Sequence, residues 1–135
     1  MPHRCSSFSW ELADTEANVA HFGRVGSGPG ASAFPKLQVM ALAECGSHAM
    51  VGAVFGSART GERTLAGDPD LIGKIEPGML VLADAGLYSW ELFNSYAPAG
   101  ADLAGGSARR RCRWWVGACS TTKARKTLLT QTFGF

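Results

Sequence analysis

The chain has 135 residues, of which 46% are hydrophobic and 18% charged, and its formal net charge is +2. These values fit one soluble domain with a single buried core. No stretch approaches the roughly 18 apolar residues that span a bilayer. Met1-Pro2-His3-Arg4-Cys5 leads into polar residues rather than the apolar run of a secretory signal. The expectation is a cytoplasmic protein with no membrane partner.

The small net charge hides an asymmetry. Residues 1 to 105 carry six Lys/Arg and all eleven acidic residues, for a net of −5. Residues 106 to 135 carry seven Lys/Arg and no acid, for a net of +7. A break this sharp marks a boundary. The four cysteines (Cys5, Cys45, Cys112, Cys119) form no C-x-x-C pair and lack a histidine at zinc-knuckle spacing. They read as free thiols in a reducing compartment.

Phe8 to Ala13 is strand-length. Asp14 then stands as N-cap of a short helix ending at Phe22, because Gly23 stops it. The glycine-rich run 23 to 33 lacks the Gly-Lys-Ser/Thr of a Walker loop and runs into Pro35 and an apolar stretch, so it reads as a plain connection. Leu37–Glu44 and Ala49–Phe55 are apolar runs around Cys45-Gly46-Ser47-His48, the pattern of a β-hairpin. Their nearly continuous apolar character predicts burial on both faces, with helices covering the sheet. Asp68-Pro69 opens a short helix over Asp70 to Ile75. Met79 to Ala83 is the strongest strand and ends at Asp84. Leu87 to Tyr96 follows, with Leu87, Trp90 and Leu92/Phe93 on one helix face.

Asp84 is the main candidate for chemistry. Ligands in open α/β sheets gather at the carboxyl ends of strands, and a carboxylate there can hold Mg²⁺ or Mn²⁺ through oxygen. The same residue can instead cap the next turn through Gly86. Glu44 and Glu62 read as solvated charges. His3, His21 and His48 have no nucleophile beside them, so a hydrolytic triad has no support. In the tail, Arg109, Arg110, Arg111, Arg113, Lys123, Arg125 and Lys126 surround Trp114-Trp115. Such a mixture can grip a nucleic-acid backbone and stack on bases. It can equally be a disordered basic segment.

Several runs resemble DDE-type insertion-sequence transposases. They are Asp14-Thr15-Glu16-Ala17-Asn18 with Phe22-Gly23-Arg24, then Ala33-Phe34-Pro35, then Leu42-Ala43-Glu44-Cys45-Gly46-Ser47-His48. Arg59-Thr60-Gly61-Glu62-Arg63-Thr64-Leu65 and Pro77-Gly78-Met79-Leu80-Val81-Leu82-Ala83-Asp84 follow, with Gly86, Tyr88-Ser89 and Gly100-Ala101-Asp102-Leu103. The resemblance implies an α/β fold of the ribonuclease-H-like kind: a mixed sheet flanked by helices, here partial and occupying residues 8 to 105. It implies DNA transposon ends as partner, and Mg²⁺ or Mn²⁺ held by an Asp-Asp-Glu set in which Asp84 is the second Asp. Ser6-Ser7 stands where the first Asp is expected, and Ala85 where an Arg often follows the second. No acidic residue follows Asp102, so the tail cannot supply the Glu. The expectation is a truncated or frameshifted transposase fragment, inactive alone, with an irregular, disordered basic tail over residues 106 to 135. A non-catalytic DNA-binding module using that tail is the alternative. A small metal-dependent phosphatase ranks last, because its second Asp would fall at Gly86.

Overall fold

The computed structural model describes residues 1–87, 89–105, 114–118 and 125–129, the last two segments through their backbone. It is a mixed α/β domain. Strand β1 spans Pro2–Glu11, and helix α1 follows over Glu16–Phe22. Strands β2 (Lys36–Glu44) and β3 (Met50–Ser57) form the expected hairpin. Helices α2 (Glu62–Ala66) and α3 (Pro69–Ile72) lead to strand β4 (Leu80–Ala83). Helix α4 (Trp90–Tyr96) leads to β5 (Asp102–Gly105). Two further strands, β6 (Trp114–Ala118) and β7 (Arg125–Leu129), fall inside the segment expected to be an irregular tail. The rest of that segment lies outside the described residues.

The strands form one sheet in the order β3-β2-β1-β4-β5-β6-β7. β1 runs antiparallel to β2 and parallel to β4, and β4 runs parallel to β5. Two of these directions follow from the connections. The five-residue turn between β2 and β3 permits only an antiparallel neighbour, whereas the parallel pair β4–β5 is joined through α4.

Strand β1 starts six residues before the expected Phe8. His3 and Cys5 are buried while Pro2 and Arg4 are exposed, so the segment alternates like a half-buried strand. A histidine and a cysteine occupying the inward positions hid that alternation. The cap of α1 also shifts by one residue. Thr15, not Asp14, is extended and accepts from the Asn18 N–H, while Asp14 pairs with Arg24 at 2.6 Å. Asp68 caps α3 as expected, accepting from the Asp70 N–H with Pro69 in the first turn.

The core lies on one face of the sheet. Cys5, Met40, Leu42, Val81 and Leu103 from the strands meet Leu65, Ala66, Leu71, Leu92 and Tyr96 from α2, α3 and α4. Each fully buried Leu, Val or Met contributes about 1.5–3 kcal/mol of transfer free energy as an upper estimate. Helix α1 contributes no buried residue. The second face is not fully covered: Phe8, Trp10 and Phe55 remain 40%, 64% and 67% exposed. Burial on both faces, expected from the apolar runs, therefore holds for β2 in part (Val39 and Ala41 are buried) but not for its neighbours.

Candidate functional site

Asp84 ends β4 and lies exposed at the carboxyl edge of the sheet. Its Oδ1 accepts from the Gly86 N–H at 2.7 Å and the Leu87 N–H at 3.2 Å. Those two amides belong to the short 3-10 turn Ala85–Leu87; the Leu87 N–H is shared with the Asp84 carbonyl at 3.2 Å, and a carboxylate is a natural cap for such a turn. The capping role that the sequence left open therefore has its two amide partners in place.

The parallel register sets what faces this edge. Pro2, His3 and Arg4 pair with Leu80, Val81 and Leu82. Two residues further along each strand, β1 reaches Ser6 at the level of Asp84. Side chains alternate along β1. Ser6 lies opposite Ala41 and Ser7 opposite Met40, a core residue. Ser7 therefore belongs to the helix-covered face, and its hydroxyl donates to Glu62 Oε1 at 2.6 Å. Glu62 is the first residue of α2. Gly86 lies between the two acids: a Cβ there would sit 3.1 Å from Asp84 Oδ1 and 3.8 Å from Glu62 Oε2. Arg63, beside Glu62, donates through Nε to the Gly86 carbonyl at 2.9 Å. Helix α2 thus pins the turn that Asp84 caps.

Glu62 is the residue that sequence reasoning undervalued. Its loop-like setting suggested a solvated charge, and Glu62 is exposed, but it starts α2 and so also reaches Ser7 and Gly86. The available signal was the Gly61-Glu62 step at a helix start, where an acid is favoured in the first turn. Glu44 is not brought in. It pairs with His3 at the opposite end of the sheet and accepts a hydrogen bond from Ser47 within its own turn. His3 is buried with Nδ1 donating to the Met1 carbonyl, and His21 packs edge-on to Phe22. His48 holds a turn with φ of 60°.

Beside Asp84, an open and mostly apolar cleft runs between α4 and the ends of β4 and β5, lined by Leu87, Trp90, Phe93, Tyr96 and Leu103. Beneath it, Tyr96 donates to the Ala66 carbonyl at 2.7 Å, and Cys5 Sγ lies 3.4 Å from Met40 Sδ. Burial pushes the Cys5 thiol above its ordinary value, with the Tyr96 contact opposing and the Asp84 charge reinforcing the shift. Burial pushes the Tyr96 hydroxyl strongly up as well, with the neighbouring Cys5 adding to it. Neither group is poised as a nucleophile at neutral pH.

The expected Mg²⁺ or Mn²⁺ site needs several converging carboxylates. Asp84 and Glu62 converge, but each has an oxygen engaged by the protein, and Ser7 stands third. Among the described residues no group of three His, Cys, Asp or Glu is placed to hold a metal. The donor set does not fit the two-metal arrangement. Of the basic candidates, Arg109, Arg110, Arg111, Arg113 and Lys123 lie outside the described residues, and so do Cys112, Cys119 and Tyr88. Arg125 and Lys126 open β7, paired with Ala118 and Gly117 of β6. Compared with family models, curated proteins and solved structures, the chain matches none of them.

Proposed function

We propose that residues 8 to 105 derive from the catalytic domain of a DDE-type insertion-sequence transposase, of the ribonuclease-H-like kind. In this reading the 135 residues alone do not cut or join DNA. One observation carries it: Ser7, standing where the family's first Asp is expected, and Asp84, at the second, both approach Glu62, with Ser7 donating to its Oε1 at 2.6 Å and Gly86 lying between Glu62 and Asp84. The two positions lie more than seventy residues apart in sequence, and their approach to one acid is what a shared ancestral metal site requires. The mixed sheet flanked by helices is compatible with the same ancestry. Asp84 is then a former metal ligand whose remaining work is capping, and Ser7 has exchanged a carboxylate for a hydroxyl that donates to Glu62. The chemistry of the parent family, cleavage at transposon ends and strand transfer with Mg²⁺ or Mn²⁺, lacks its first Asp and its Glu within this sequence.

The test is the nucleotide sequence around the coding region, read in all frames. A segment encoding the missing Glu downstream, in another frame, supports the reading. Intact, unrelated genes on both sides with no transposase-like segment in any frame contradict it. A second reading rests on the +7 charge of residues 106 to 135: a DNA-binding module without catalysis. It requires duplex affinity that falls steeply with salt and that is lost when Arg109, Arg110, Arg111 and Arg113 are replaced by serine. Unchanged affinity in that variant rules it out.

A further inference from the structure

Strand β3 is an edge of the sheet, and the ladders fix which way its backbone groups point. The β1–β2 ladder is bracketed by two hydrogen bonds: the Cys45 N–H donates to the Pro2 carbonyl at 3.0 Å, and the Leu12 N–H to the Pro35 carbonyl at 2.9 Å. Hydrogen-bonded pairs recur at every second position of an antiparallel ladder. Leu37, Val39 and Ala41 therefore turn their amides and carbonyls to β1, and Gln38, Met40 and Leu42 turn theirs to β3. Their partners there are Gly56, Val54 and Gly52. Ala53 and Phe55 fall between, so their N–H and C=O groups point outward from the edge. Among the described residues no strand lies on that side. Both residues are exposed.

Edge strands are ordinarily blunted by charge, proline or a covering element. Met50–Ser57 contains neither a charged residue nor a proline. Its irregularity falls at Leu42/Ala43, where Val51 is the extra residue, and leaves the strand regular from Gly52 to Ser57. An antiparallel copy of the same strand meets the outward groups with their complements. About a two-fold axis at Val54, Ala53 of each copy faces Phe55 of the other, and each outward amide finds a carbonyl. Directly opposed residues share a face, so each Phe55 ring is set against a methyl group rather than against another ring. Gly52 then faces Gly56 of the other copy. Lys74, which lies over Gly52, meets Thr60, which lies over Gly56, and not a second Lys74. The pairing therefore opposes no like charges along the strand.

We infer that β3 is an interaction surface for a second copy of this chain, the two β3 strands pairing antiparallel so that the sheets join edge to edge. The contact uses the same edge on both copies and therefore closes at two. Backbone pairing supplies the affinity, as in strand addition generally, and the match of Ala53 to Phe55 supplies the register. The inference stands on β3 and not on Asp84, so it survives or fails separately from the transposase reading.

The full chain is sedimented to equilibrium over a micromolar to near-millimolar range, and a monomer–dimer equilibrium is expected. Proline is tolerated on an edge strand where its N–H would face solvent. Ala53→Pro therefore spares the β2–β3 ladder, removes an outward amide from each copy and should weaken the dimer by roughly ten-fold or more. Ala53→Ser should leave it unchanged. Hydrogen exchange of the parent chain gives a readout that needs no variant. The Ala53 and Phe55 amides should exchange quickly in dilute protein and gain protection as concentration rises, with the Gly52, Val54 and Gly56 amides protected throughout. A chain that stays monomeric across the range overturns the inference, as does a dimer that Ala53→Pro leaves unchanged. Ala53 and Phe55 amides protected equally at every concentration overturn it in favour of an edge covered within the chain. A dimer lost in Trp10→Ser and kept in Ala53→Pro overturns it in favour of contact through the aromatic face.

Discussion

Asp84→Ala removes the oxygen that accepts from the Gly86 and Leu87 amides. Loss of such a cap costs about 0.5–2 kcal/mol, whereas Asp84→Asn or Asp84→Ser should recover most of it. Urea denaturation of the three variants measures this directly, and an Asp84→Ala protein as stable as the parent would mean the cap is decorative. Tyr96→Phe strands the Ala66 carbonyl in the core and should cost about 1–3 kcal/mol. Cys5 and Tyr96 give stability a pH dependence. Both native-state values lie above their ordinary 9.0 and 10.0. The unfolded chain therefore loses these protons first as pH rises, and it binds fewer protons than the native state. Stability from these groups is complete below pH 9 and declines above it. Denaturation midpoints at pH 7.5 and pH 10.5 (values chosen about 1.5 units either side of the thiol's ordinary range) should differ, and Tyr96→Phe should flatten the difference.

At the scale of elements, the strands carry their own explanations. Leu80-Val81-Leu82-Ala83 was legible because a short apolar run ending in Asp can be little else, and Val81 is indeed fully buried. The β2–β3 hairpin was legible from two apolar runs around a turn. β1 was legible only from Phe8 onward, because His3 and Cys5 do not look like inward residues until β2 and β4 are seen on either side. Two glycines of β3 show how tightly the next layer rests on it. A Cβ at Gly52 would lie 2.8 Å from Lys74 Cγ, and one at Gly56 would lie 2.9 Å from Thr60 Cβ. Gly56→Ala meets the branched, less mobile neighbour and should destabilise by about 1–3 kcal/mol. Gly52→Ala meets a flexible stem and should cost less. Thermal melts of the pair check that order.

For the molecule as a whole, the position of Asp84 at a strand end could be read from sequence, but its company could not. Helix α2 brings Glu62 beside Gly86, and Ser7 of β1 reaches Glu62, both long-range consequences of topology. The pattern of β2 suggested an apolar second face, yet nothing local to Phe8, Trp10 or Phe55 says that they stay exposed. The edge joining Ser7, Glu62 and Asp84 holds the central claim, that a metal site has decayed into a capped turn. Calorimetric titration with Mn²⁺ of the parent, Asp84→Ala and Ser7→Asp chains tests it. A relic site gives no Mn²⁺ binding that distinguishes the parent from Asp84→Ala, while Ser7→Asp gains a binding isotherm that is lost again when Asp84→Ala is added. Tight Mn²⁺ binding by the parent chain that Asp84→Ala abolishes would contradict it.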